Sequence, residues 1–198
     1  PALPHRAHQE IAAEREPARF ATIDFMRIAV VGVGAVGGYF GGRLAQAGLD
    51  VVFITRGKTL ETLRVHGLHV RSVAGDFEIN PLNVSDSPSA AGPCDVVLVA
   101  VKAHHVREIA RTLAPLIGPE TVVVPMQNGL EAPTLLAEAL GPDLVVGGLC
   151  KIFASKTGAA AIEHTGLEPV IEFGELSGET SERVERIRAA FEPAIGMS

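Results

Sequence analysis

Apolar and polar positions along this chain follow two rhythms. Nearly continuous apolar runs recur at Ile28–Val31, Asp50–Thr55, Asp95–Val101, Thr121–Val124 and Leu144–Leu149. Runs of that length without alternation read as buried strands of a parallel sheet, covered on both faces. Between them lie stretches with apolar residues at helical spacing. Tyr39, Phe40, Leu44 and Ala47 form one face ending at Gly48, and Leu60, Leu63 and Val65 form a second ending at Gly67. A third helix runs from His104–His105 toward Leu113, a fourth covers Pro133–Leu140, and Val184, Ile187 and Phe191 mark the last, within Glu179–Phe191. Leu68–Val73 and Phe77–Leu82, separated by Gly75-Asp76, read as a hairpin. Asn83–Pro93 reads as a polar loop. Lys151–Phe153, Ala159–His164 and Pro169–Phe173 read as short strands extending the sheet in an antiparallel sense, with a turn at Ser155–Gly158.

Strand and helix therefore alternate, the pattern of an α/β fold with a doubly wound, mainly parallel sheet. The most informative unit is Met26–Gly48, where a buried strand runs into Gly32-Val33-Gly34-Ala35-Val36-Gly37 and then into a helix. In a G-x-G-x-x-G turn the first glycine allows a sharp turn, the second lets backbone approach a pyrophosphate, and the third lets helix and strand pack closely. The helix N–H groups and dipole then face the phosphates. A second strand directly past Gly48 completes the βαβ setting that this fingerprint requires.

The second strand ends at Thr55-Arg56-Gly57. A site for NAD places an acidic residue there to accept from the ribose 2′-OH. Arg56 instead offers a guanidinium that suits a 2′-phosphate, which points to NADP; the alternative is a solvated surface arginine. Lys102 follows the third buried run, where ligands of open α/β sheets collect, and could meet a cofactor phosphate, meet a substrate carboxylate, or lie along the sheet end. Asn128, in Pro125–Glu131, could hold a nicotinamide ribose, a carboxamide or a substrate hydroxyl, although Asn-Gly is also ordinary turn chemistry. The adjacent His104 and His105 read as solvent-facing helix-start residues rather than metal ligands.

Composition narrows the partners. The chain has 198 residues, 47% of them hydrophobic, and carries 17 Lys and Arg against 23 Asp and Glu, a net charge of −6. With no basic block to offset that charge, neither nucleic acid nor an anionic membrane is expected as the main partner. The two cysteines, Cys94 and Cys150, have no zinc-like spacing, and a reducing cytoplasm is the expected location. No apolar run is long enough to span a bilayer. Residues 1–25 read as an N-terminal extension, 26–192 as the nucleotide-binding domain and 193–198 as a truncated tail.

With these residues placed, the chain resembles the N-terminal, NADP-binding Rossmann domain of the ketopantoate reductases (2-dehydropantoate 2-reductases). The resemblance spans about Met26–Phe191. It rests on Gly32–Gly37 with Gly38, Gly41 and Gly42, on Arg56, on VKAHHV with Lys102, on QNGLE with Asn128, and on the later GGLCKIFA and AIEHTG stretches. It implies that Gly32–Gly37 cradle the pyrophosphate, Arg56 binds the 2′-phosphate, and Lys102 and Asn128 touch the cofactor or the substrate edge. It implies hydride transfer from NADPH to the ketone of a small 2-oxo acid, ketopantoate, on the route to pantothenate. His105 stands where the family often has Gln. The family's catalytic Lys and a substrate-binding Glu belong to an all-helical C-terminal domain, and no residue here matches them, so this chain alone is expected to bind NADPH and turn over poorly or not at all. Without that domain, apolar surface near the strand ends and the last helix is expected to be exposed and to drive dimerisation or aggregation. The alternatives are a non-catalytic NADP-binding or redox-sensing module, or a reductase of another 2-oxo acid.

Overall fold

The central sheet is built from β1 (Arg27–Val31), β2 (Asp50–Ile54), β5 (Val84–Ser85), β6 (Cys94–Val99) and β7 (Ile117–Pro125), all parallel, in the order β5-β2-β1-β6-β7. The computed structural model describes residues 26–194, and the expectations for residues 1–25 and for the end of the tail lie outside the described residues. Helix α1 (Ala35–Gln46) follows β1 and α2 (Gly57–His66) follows β2. α3 (Pro88–Ala91), α4 (Val106–Ala110) and α5 (Glu131–Leu140) follow β5, β6 and β7.

Alternation within the apolar runs sorts the two faces. Ile28, Val30, Val96 and Leu98 point into a core shared with Tyr39, Phe40 and Leu44 of α1. Ala29, Val31, Val97 and Val99 point into a second core, with Val106 and Ala110 of α4 and Leu135 and Leu136 of α5. Each Val, Leu, Ile or Phe among them contributes about 1.5–3 kcal/mol when fully buried. That is why these strands carry almost no polar residue.

A second sheet lies across the far side of α1. It contains β3 (Leu68–Ser72), β4 (Phe77–Ile79), β9 (Ala154–Lys156) and β10 (Ala161–His164) in the order β4-β3-β10-β9. β10 pairs parallel with β3, so segments about ninety residues apart in sequence are joined. β8 (Gly147–Lys151) pairs antiparallel with β11 (Val170–Gly174) in a separate two-stranded sheet. The final helix α6 (Glu182–Phe191) buries Val184, Ile187 and Phe191.

Several sequence expectations are corrected. The late strands do not extend the central sheet; beyond β7 that sheet gains, among the described residues, a single bridge, Val123 to Val145. They pair instead with the β3–β4 hairpin and with each other, because α1 presents a second face that needs covering. The expected polar loop at 83–93 contains β5 and α3, the latter capped by Ser87 Oγ accepting from the Ala90 N–H. α1 ends at Gln46, leaving Ala47 exposed, Val65 is 69% exposed on α2, and α4 stops at Ala110. The apolar face of the last helix is buried rather than exposed, and Ala194, assigned to the tail, is buried with it.

α1 can be covered on both sides because it is rich in glycine. A Cβ on Gly41 would lie 2.8 Å from Val30 Cγ2 and 2.7 Å from Phe53, both in the central sheet. On Gly42 it would lie 2.7 Å from Phe77 and 3.0 Å from Leu68, both in the second sheet. Small residues at these places let both sheets approach the helix backbone.

Candidate functional site

The carboxyl ends of β2, β1, β6 and β7 lie side by side, and the loops that leave them carry, in that order, Arg56, the glycine turn, Lys102 and Asn128. At the usual spacing of neighbouring strands this row spans roughly 14 Å. β1 is the strand at which the chain reverses its direction of winding, with β2 to one side and β6 to the other. Ligands of open α/β sheets bind at such a point.

Ladder hydrogen bonds continue past the strand ends and fix these loops. Gly32 N–H donates to Ile54 O (2.9 Å), Ala100 N–H to Val31 O (2.8 Å) and Met126 N–H to Val99 O (3.0 Å). Gly32 has φ +100°, and a Cβ there would meet the backbone of Ala100 and Val101 at 3.0 Å. At Gly37 a Cβ would sit 2.1 Å from Gly32 O, so the turn and the helix pack backbone to backbone. Gly34 is different: a Cβ there meets nothing within 4 Å, and the space outside it is open. Gly34 also caps α1 without any side-chain hydrogen bond, and the first turn of α1 holds no acidic residue. Uncapped N–H groups and the positive helix end thus face open space, which suits a pyrophosphate. Val33 is buried beneath the turn, and Ala35 and Val36 are half-buried at its rim.

Arg56 caps α2 through its backbone, and its side chain is 80% exposed. Its guanidinium lies 3.5 Å from Glu108 of α4, and Glu108 also lies 3.7 Å from His105 Nδ1. A carboxylate thus stands beside the group expected to hold a 2′-phosphate, which the sequence reading did not foresee. His104 and His105 lie in a 3₁₀ turn, Ala103–His105, and their ring centroids are 4.2 Å apart, so adjacency did not separate them as a regular helix would. Among the described residues no group of His, Cys, Asp and Glu is arranged to hold a metal ion.

Lys102 and Asn128 are both exposed, and among the described residues neither side chain has a hydrogen-bonding or ionic partner. What holds their loops together is Gln127, to which the sequence reading gave no role. Its Nε2 donates to both Val99 O and Val101 O at 2.8 Å, clamping the end of β6 to the loop after β7, and its buried Oε1 has no partner among the described residues. The only sequence signal was a polar residue continuing a buried apolar strand. Underneath, β8 crosses closely: a Cβ on Gly148 would lie 2.4 Å from Pro125 O. Cys150 Sγ donates to Met126 O at 3.1 Å, and burial pushes its thiol up to about 11, so it stays protonated and inert at neutral pH.

Beside Asn128 lies an apolar groove between α5 and the β8–β11 pair. It is lined by Leu130, Pro133, Ala137, Phe173 and Leu176, with Leu130 90% and Leu176 55% exposed. This, rather than α6, is the apolar surface near the strand ends. No helix among the described residues is long and apolar enough to cross a membrane.

Comparison with known proteins agrees with this fold. Residues 28–178 match the family model of ketopantoate reductase PanE/ApbA. The chain is 37% identical over 166 residues to the uncharacterized oxidoreductase YkpB of Bacillus subtilis (strain 168), covering 84% of this chain and 54% of that protein. It is 36% identical over 138 residues to a 2-dehydropantoate 2-reductase of Nostoc sp. (strain PCC 7120 / SAG 25.82 / UTEX 2576), covering 70% of this chain and 43% of that one. A crystal structure of 2-dehydropantoate 2-reductase from Porphyromonas gingivalis W83 superposes with a TM-score of 0.82 at 29% identity, covering 88% of this chain and 63% of that one. The chain spans about half the length of the curated relatives it matches.

Proposed function

The chain belongs to the ketopantoate reductase family, and on that footing we propose that it forms the cofactor-binding half of an NADPH-dependent reductase of a 2-oxo acid, with ketopantoate the substrate best supported. The observation that carries this reading is the uncapped start of α1 behind Gly34, open to solvent, with Arg56 and no acid at the end of β2.

In this reading the N–H groups at Gly34–Gly37 hold the pyrophosphate, and Arg56 holds the 2′-phosphate. NADPH, when bound, supplies the hydride. Lys102 and Asn128 stand at the other end of the row, where Lys102 offers a cation to a phosphate or a substrate carboxylate and Asn128 both donates and accepts. Gln127 keeps these two residues in register by fixing the backbone on either side of them. The proton that reduction of a ketone requires has no donor assigned among the described residues, and in this reading a group outside them supplies it. The apolar groove beside Asn128 is the surface through which two copies would associate, which light scattering over a concentration series tests.

Titration of the purified chain with NADPH and, in parallel, NADH tests the cofactor assignment. Saturable binding that favours NADPH, with the preference lost in Arg56→Ala, is the expected result. Binding of neither dinucleotide, with the fold intact by circular dichroism, would overturn the reading.

A further inference from the structure

Arg56 is not the only cation at the adenosine end of the site. Lys156 lies in β9, directly opposite Ile162 of β10 in an antiparallel register. Directly opposed residues share a face of the sheet. Ile162 faces α1, where its Cδ1 would lie 2.3 Å from a Cβ on Gly38, so Lys156 extends along α1 on the same side. Its Nζ donates to Thr59 Oγ1 at 3.1 Å, in the first turn of α2, the helix that Arg56 caps. A strand from the second sheet thus delivers an ammonium group to the end of β2.

Among the described residues no carboxylate neutralises this ammonium. Among the described residues Lys156 has no ion pair, and its hydrogen-bond partner is the neutral Thr59 hydroxyl, whereas Arg56 is engaged by Glu108. Partial burial pulls the lysine below its ordinary pKa, as expected for a cation that has lost water without gaining an anion. A phosphate arriving at Arg56 would supply that anion, and Thr59 would add a hydroxyl donor to it.

From this geometry we infer that Lys156 and Thr59 are specificity-determining residues that bind the 2′-phosphate of NADPH together with Arg56. The inference rests on the cofactor reading above. It assigns to the second sheet a part in choosing between NADPH and NADH that the glycine turn and its βαβ unit do not disclose.

The experiment is a calorimetric titration of the wild-type chain and of Lys156→Ala, Lys156→Arg and Thr59→Ala with NADPH and with NADH. Thermal unfolding of each unliganded variant serves as the control on folding. Lys156→Ala should weaken NADPH about five- to tenfold and leave NADH within about twofold, with a shallower dependence on salt concentration. Lys156→Arg should restore most of the NADPH affinity. If the wild type prefers NADPH and Lys156→Ala keeps both the affinity and the preference, Lys156 is only a tie between β9 and α2 and the inference fails while the cofactor reading stands. Equal weakening of both dinucleotides would also overturn the assignment to the 2′-phosphate. Should Lys156→Ala unfold, Thr59→Ala carries the same test. Failure of the wild type to bind either dinucleotide would sink the cofactor reading, and this inference with it.

Discussion

Helix α1 is held between two sheets that solve the same packing problem in opposite ways. On one side the central sheet meets it with Val30 and Phe53, apolar groups alone. On the other side the second sheet adds a buried polar network to its apolar contacts. Arg43, 4% exposed, donates to Gly75 O at 2.7 Å and Ala74 O at 3.2 Å, lies near Ser72 Oγ at 3.4 Å, and rests on the Phe77 ring with 4.3 Å to its centroid. Ser72 Oγ is in turn 2.8 Å from Nδ1 of buried His164, whose Nε2 lies 3.0 Å from Leu167 O. Because a carbonyl oxygen only accepts, Nε2 is the donor to Leu167 O, and Nδ1 shares the second hydrogen bond with the serine hydroxyl. Apolar surface makes the first contact strong. The directional bonds give the second its register, joining β3 to a strand far away in sequence.

The two sides of α1 can be broken separately. Gly37→Ala forces a Cβ against Gly32 O, which is backbone and cannot give way, and should cost about 3 kcal/mol or prevent soluble expression. Gly38→Ala meets only the tip of Ile162, which can rotate, and should cost about 1 kcal/mol; denaturant midpoints compare the two. Arg43→Met leaves the Ala74 and Gly75 carbonyls without their donor and should cost about 2–4 kcal/mol. In hydrogen exchange, protection should fall in β3, β4 and β10 while β1 and β6 hold; uniform loss would mean that the two sheets do not act as separate units.

Outside this sandwich, Arg183 donates to both oxygens of largely buried Glu175 at 2.6 Å, and those bonds hold the carboxyl below its ordinary value. A depressed carboxylate contributes stability that is present above its unfolded pKa, near 4.5, and lost as pH falls through the lower folded value. Arg183→Ala should therefore cost about 1–2 kcal/mol at neutral pH and flatten the loss of stability below pH 4.5. Equal acid sensitivity in wild type and variant would refute it. The smallest effect is expected at Glu108, exposed beside Arg56. Glu108→Gln should tighten NADPH about two- to threefold and leave NADH unchanged, by removing the carboxylate that competes with a phosphate for the guanidinium.

Legibility followed the range of the interactions. The strands β1, β2, β6 and β7, the helix α1 and the glycine turn were readable because each depends on local residues: continuous apolar runs, helical spacing, and glycines where backbone must meet backbone. The Gly37 contact with Gly32 O bears this out, since both partners lie in one turn. β5 was missed because two residues added to a sheet edge leave no periodicity. The short late strands were recognised approximately and assigned to the wrong sheet, because pairing partners for so few residues are chosen by what needs covering.

The chain's own sequence determined its family, its central sheet and the row of Arg56, the glycine turn, Lys102 and Asn128 along one edge. These follow from patterns confined to single strands and the loops that leave them, which fold into the same local shapes wherever they sit. Only the tertiary structure decided that Gln127 clamps that row, that Glu108 stands against Arg56, and that a strand about a hundred residues beyond Arg56 brings Lys156 to the same end of α2. A side chain's partner across such distances is set by the packing of whole sheets, and no local spacing records it.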